Sequence, residues 1–122
     1  MRLVYVAGPY TAPSRWEQEQ HVRKAEETAL KVAQVGVVPV CPHSMYRHFD
    51  GTLTADYWYA ATLDLMQRCD GVYLVAGWMA SKGARAEQQQ ARAMGLPVFE
   101  TIRELVEWLD QSHGRTEKDR RG

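Results

Sequence analysis

The chain is short of the groups that announce the commoner chemistries. Cys41 and Cys69 are the two cysteines among 122 residues. They stand far apart, form no C-x-x-C pair and show no zinc spacing, so the expectation is two buried free thiols rather than a disulfide framework or a zinc module. No charge of one sign prevails: 15 basic and 15 acidic side chains give a formal net charge of zero. That gives no support for binding a nucleic acid polymer through a general positive field. No apolar run approaches the ~20 residues of a membrane span, and the N-terminus opens on a strand-like segment without a signal-peptide core. A soluble, cytoplasmic protein with no membrane partner is expected. G-x-G-x-x-G, a Walker loop, H-E-x-x-H, a His/Asp/Glu cluster at metal spacing and a Ser-His-Asp set are all missing. Neither a metal nor a cofactor is expected.

What is present organises itself around Cys69–Val98. The apolar run Val72-Tyr73-Leu74-Val75 reads as a strand, Ala76–Ala80 as a loop, and Ser81–Met94 as a helix that stops at Gly95. Leu96–Phe99 is the next strand. This is one βαβ unit. In such units ligands bind outside the carboxyl ends of the strands, over a helix N-terminus whose unpaired N–H groups favour anions. Gly77, Ser81 and Gly83 lie there, and Glu87 is the carboxylate on the first two turns of that helix.

The remaining chain repeats the alternation. Arg2–Ala7 reads as a buried strand ended by Gly8-Pro9, with Tyr10 in the loop that follows. Ser14 and Glu17 form a capping box for a helix from about Arg15 to Val35, closed by Gly36. Val37–Val40 is a second strand. The segment from Cys41 to Thr54 reads as a long loop carrying His43, Arg47, His48, Asp50 and several aromatics; loops of that length in compact domains are commonly functional or mobile. Thr54 or Asp56 caps a helix to about Arg68, with Tyr57, Trp58 and Tyr59 read chiefly as packing. Thr101 and Glu104 cap a last helix to about Gln111. The expected fold is α/β: a single-domain, flavodoxin- or Rossmann-like parallel sheet of four to five strands in the order 2-1-3-4 with helices on both faces. The domain spans residues 1–112, and residues 113–122 form a flexible tail. The order puts the switch point between strands one and three, so Tyr5, Gly8, Tyr10, Gly77, Ser81 and Glu87 gather around one pocket, with His43 at its rim.

The segments YVAGPY (Tyr5–Tyr10), CDGVYLVAGW (Cys69–Trp78) and SKGARAE (Ser81–Glu87), with the alanine-rich helix and GLPV beyond, resemble the nucleoside 2-deoxyribosyltransferase-like superfamily. They are most similar to its small phage and bacterial members, relatives of the 2′-deoxynucleoside 5′-phosphate N-hydrolases. The resemblance implies that Glu87 is the nucleophile on the sugar C1′, that Tyr5 lies beside the reacting centre and that Gly8 belongs to the same turn. It implies a 5′-phosphate contact for Ser81, where the deoxyribosyltransferases carry an aspartate for a free 5′-hydroxyl. The family often has an aspartate on the helix before the third strand that contacts the leaving base. That place holds Thr62 here. Asp64, two residues on and about 200° around a helix, is the nearby carboxylate and the third catalytic candidate. Homodimers or larger homo-oligomers are implied, with Tyr57–Tyr59 as a candidate face.

Cleaving an N-glycosidic bond builds positive charge on the sugar and negative charge on the base, and a carboxylate below C1′ either forms an ester or stabilises the cation. The expected activity is hydrolysis of the base–sugar bond of a (deoxy)nucleoside 5′-monophosphate. Catalytic candidates are Glu87, Tyr5 and Asp64; substrate-binding candidates are Gly8, Pro9, Tyr10, His43, Gly77, Ser81 and Gly83. Alternatives are transfer of the sugar to a second base, and a nucleotide-binding module without turnover.

Overall fold

The computed structural model describes residues 1–49 and 51–121, with residues 112–121 described by backbone only. Asp50 of the polar loop lies outside the described residues, as do the side chains of the expected tail. The elements follow in the order β1 (Leu3–Ala7), α1 (Arg15–Gln34), β2 (Val38–Val40), α2 (Pro42–Met45), α3 (Ala55–Gln67), β3 (Gly71–Leu74), α4 (Lys82–Ala93), β4 (Val98–Phe99) and α5 (Ile102–Arg121). All three strand pairings are parallel, and the sheet order is β2-β1-β3-β4. This is the α/β arrangement expected from the alternation.

Strand alternation decides which side chains meet which helices, because successive residues point to opposite faces of the sheet. Tyr5 and Ala7 of β1 join Val72 and Leu74 of β3, and they pack with Met66 at the end of α3 and Ala91 of α4. Val4 of β1 and Tyr73 of β3 turn the other way, to Val32 of α1 and Leu105 of α5. Val6 follows them to Ala25 of α1. Both faces of the sheet are therefore covered, and the central strands read as continuous apolar runs for that reason. Tyr5 belongs to the face that carries α4, a placement that decides its chemistry.

Caps set the helix starts. The Ser14 hydroxyl accepts from Glu17 N–H at 3.2 Å, Thr54 from Tyr57 N–H at 3.1 Å and Ser81 from Ala84 N–H at 3.1 Å. Thr54, not Asp56, is thus the cap of α3. At the start of α5, Thr101 and Glu104 exchange bonds as a full capping box. The structure departs from the sequence reading in α5, which runs on to Arg121 past the expected end near Gln111 and through the segment expected to be a flexible tail, and in the loop after β2. Pro42–Met45 is a turn of helix, α2, inside the segment expected to be loop. Pro42 stands at its first position, where a fixed φ is already helical and the missing N–H is not needed.

The segment after α2 is held to α1 by charge. Arg47 donates to Glu26 at 3.0 Å and also to Glu19, and Ser44 donates to Glu26 at 2.9 Å. Above it Trp58 of α3 gathers Tyr46, Phe49 and Tyr57 with ring centroids 4.9, 5.9 and 5.0 Å away. Both cysteines are buried and free. Among the described residues no helix is long and apolar enough to cross a membrane.

Gly8 ends β1 against β3. A Cβ on it would lie 2.7 Å from both Cβ and Cγ2 of Val75, an approach that only backbone movement relieves. Gly8→Ala is expected to lower unfolding stability by about 1–3 kcal/mol. Urea denaturation measures this, and an unchanged midpoint would show that the two strand ends do not need to come so close.

Candidate active site

The crevice lies where the expected switch point falls, outside the carboxyl ends of β1 and β3. It has two adjoining arms. One, of about 780 Å3, is lined by the polar and cationic groups His21, Lys24, Ser81 and Lys82. The other, of about 610 Å3, is lined by aromatic and apolar groups, among them Pro42, Tyr46, Leu53 and Trp58, together with His43. Gly8, Tyr10, Thr11, Tyr59, Gly83 and Glu87 line both, so they mark the junction.

Glu87 sits at that junction, half-buried, in the second turn of α4. Tyr5, 1% exposed, reaches it from β1, and its hydroxyl donates to Glu87 Oε2 at 2.5 Å. Burial pushes the Glu87 carboxyl up to about 7, while the Tyr5 hydrogen bond pulls it back down. Tyr5 is driven well above the ordinary phenol range, first by burial and then by the negative charge of Glu87. The phenol therefore stays protonated and serves as a fixed donor that favours the carboxylate form.

The polar arm is built at the start of α4. The Ser81 hydroxyl accepts from Ala84 N–H, which leaves its own proton to donate elsewhere. As first-turn residues, Lys82 and Gly83 have N–H groups with no partner within the helix. Gly77, at φ +90°, takes a left-handed conformation that suits glycine. A Cβ on Gly77 would lie 3.6 Å from Lys24 Nζ, so the ammonium of α1 stands over the turn. His21 Nδ1–H donates to the Tyr10 carbonyl at 3.2 Å. Arg85 is employed otherwise: it donates to the Met79 carbonyl at 2.7 Å and steadies the loop before α4.

In the aromatic arm His43 is buried rather than at the rim, 7% exposed, with Nε2 2.9 Å from the Pro9 carbonyl and its ring edge-on to Tyr10. Burial lowers its pKa, opposed by that carbonyl. Pro9 thus lines the polar arm and also fixes His43.

Asp64 does not join the others. Its side chain is 63% exposed and pairs with Arg68 at 3.3 Å. Thr62 faces the cavity in its place, as two residues of helical rotation require. The remaining candidates are brought together: Tyr5, Gly8, Pro9, Tyr10, His43, Gly77, Ser81, Gly83 and Glu87 all line one or both arms. The sequence reading missed His21 and Lys24, and it read Trp58 and Tyr59 as packing. Spacing held a signal for each: His21 and Lys24 are three apart on α1, and Ala55, Trp58, Tyr59 and Thr62 share one face of α3. Among the described residues no three His, Cys, Asp or Glu side chains gather as a metal set.

The fold and this crevice define a parallel α/β protein with a half-buried carboxylate at the topological switch point, between a cationic arm and an aromatic one. Residues 2–100 match the family described as a domain of unknown function (DUF4406), and the chain belongs to that family. No curated protein matches the chain.

The raised carboxyl carries a stability signature. Between the usual 4.5 and about 7 the folded protein keeps a proton on Glu87 that the unfolded chain has lost. Stability contributed at this site is therefore greatest below the lower value and falls as pH rises through the upper one. Glu87→Gln, which keeps an acceptor for Tyr5, is expected to match the wild type near pH 4 and to exceed it at pH 8. Urea unfolding at the two pH values checks this; parallel pH profiles would mean that the carboxylate is not desolvated.

Proposed function

We propose that the protein is an N-glycosidase that cleaves the base–sugar bond of a (deoxy)nucleoside 5′-monophosphate, with Glu87 as nucleophile. The observation that carries this reading is the position of Glu87 at the junction of two chemically different arms. A nucleotide has the same three parts in the same order: an anion, a sugar with its reacting carbon, and a planar base. The cationic arm suits the phosphate, through the Ser81 hydroxyl, the first N–H groups of α4, and the Lys24 and Lys82 side chains. The aromatic arm suits the base. C1′ then falls at the carboxylate. The resemblance of the Tyr5–Tyr10 and Ser81–Glu87 segments to the nucleoside 2-deoxyribosyltransferase-like superfamily supports the same roles.

In this mechanism a Glu87 oxygen bonds to C1′ as the base departs with the electron pair of the glycosidic bond, taking a proton from solvent. Water then adds to C1′, releases the carboxylate and yields the sugar phosphate. Tyr5 holds the carboxylate in line and favours its charged form. Assembly as a homodimer or larger is part of this reading, with the half-exposed Tyr57 and Leu53 as contact groups.

A second reading, a nucleotide-binding module without turnover, is favoured by Asp64. Its carboxylate points to solvent and pairs with Arg68, so it does not supply a proton to the base.

Incubation with deoxy and ribo 5′-monophosphates and the matching nucleosides, with and without an acceptor base, decides between them. Free base is expected from monophosphates, with kcat/KM rising with pH through about 7 as Glu87 ionises. Glu87→Ala is expected to lower the rate on the order of 10³-fold or more. Binding without base release would establish the module instead.

A further inference from the structure

The turn that joins β1 to α1 is the wall the two arms share. Gly8, Tyr10 and Thr11 line both arms, and Pro9 lines the polar one. The sheet does not hold this turn. Ala7 closes the pairing of β1 with β3, its carbonyl accepting from Val75 N–H at 2.8 Å. Pro9 and Tyr10, beyond it, lie outside strand and helix. Carbonyls in such a segment are held by side chains or by water.

Two histidines hold these. His43 Nε2 lies 2.9 Å from the Pro9 carbonyl, and His21 Nδ1 lies 3.2 Å from the Tyr10 carbonyl. A carbonyl only accepts, so each of these nitrogens carries a proton, and the neutral rings are opposite tautomers. His21 belongs to α1 and lines the polar arm; His43 belongs to α2 and lines the aromatic arm. Consecutive carbonyls of one turn are thus gripped from two helices, one on each side. His43 also meets the Tyr10 ring edge-on, with centroids 5.5 Å apart. At 7% exposure it has little room to swing away.

We infer that His21 and His43 are positioning residues: acting through the Tyr10 and Pro9 carbonyls, they fix the shared wall and so set where the sugar stands against Glu87. The inference rests on the nucleotide reading of the crevice. With phosphate and base in separate arms, the wall between them decides the place of C1′. A displacement of about 1 Å at a reacting centre costs on the order of 100-fold in rate. A histidine that merely touched the ligand would act on KM, whereas one that aligns the reacting atoms acts on kcat.

The test separates the donor from the ring. His43→Gln and His21→Asn each keep an N–H close to the donating nitrogen and remove the ring. His43→Phe and His21→Phe keep a ring and remove the donor. On a 5′-monophosphate that the wild type cleaves, each Phe variant is expected to lower kcat about 10- to 100-fold with a smaller change in KM. The Gln and Asn variants are expected to recover most of that loss. His21 is half-buried, so its pair of variants gives the answer even if His43→Phe does not fold. Phe variants with full kcat, or Gln and Asn variants no better than Phe, would overturn the inference. A readout free of activity is the proton–nitrogen correlation spectrum of the wild-type imidazoles in mildly alkaline buffer. It is expected to show the proton on Nδ1 of His21 and on Nε2 of His43; either ring in the other tautomer would overturn the inference. In a wild type that releases no base, the same ranking read as nucleotide affinity by calorimetry would uphold the clamp and remove the glycosidase reading alone. Equal affinities across the variants would remove the clamp.

Discussion

A carboxylate held partly out of water is the constraint on which the rest of this structure depends. Glu87 does not sit at about 7 by accident of composition; α4 presents it to a crevice floor where burial opposes its charge. The compensation comes from one hydroxyl on a central strand. Tyr5 is able to supply it because its place in β1 turns it toward α4, while Val4 and Val6 turn toward α1. A shift of one residue in the β1 register would send the phenol to the other face of the sheet and leave the carboxylate without its donor. Register, helix placement and side-chain chemistry are thus a single specification.

Around that centre the molecule separates two kinds of surface that rarely share one small cavity. The start of α4 and one face of α1 contribute N–H groups, a hydroxyl and ammonium groups. The segments from Pro42 to Trp58 contribute rings. Helix α1 takes part in both, with Lys24 beside Gly77 and with Glu19 and Glu26 gripping Arg47. Gly8 lets the strand ends close up at the junction by its approach to Val75, and Gly77 shapes the polar arm by its left-handed turn.

Much of this was legible in the sequence, for identifiable reasons. The sheet order followed from short apolar runs alternating with capped helical patterns, and the pairing of Tyr5 with Glu87 in one crevice followed from that order. Ser81 was legible twice over, as a cap and as the residue over the strand ends. The limit of Asp64 was also implicit, since two helical residues rotate a side chain most of the way to the opposite face. What stayed hidden depended on tertiary distance. Periodicity in α1 marks the stripe of Val22, Ala25 and Val32 but does not tell which charged neighbour leans over the distant turn at Gly77, so Lys24 looked like any solvated lysine. The short helix α2 is below the length at which a pattern is readable. His43 looked like a loop histidine because nothing local reveals that the Pro9 carbonyl caps one of its nitrogens.

The grip of Arg47 on Glu19 and Glu26 has a consequence of its own. The core is held by apolar contact, which salt scarcely weakens, whereas this clamp is Coulombic and only partly sheltered, with Arg47 and both glutamates about one-third exposed. Mobile ions screen such charges over roughly 10 Å at 0.1 M. The wall of rings that borders the aromatic arm is therefore fastened to α1 by a bond that ionic strength weakens, while the core beneath it rests on apolar packing.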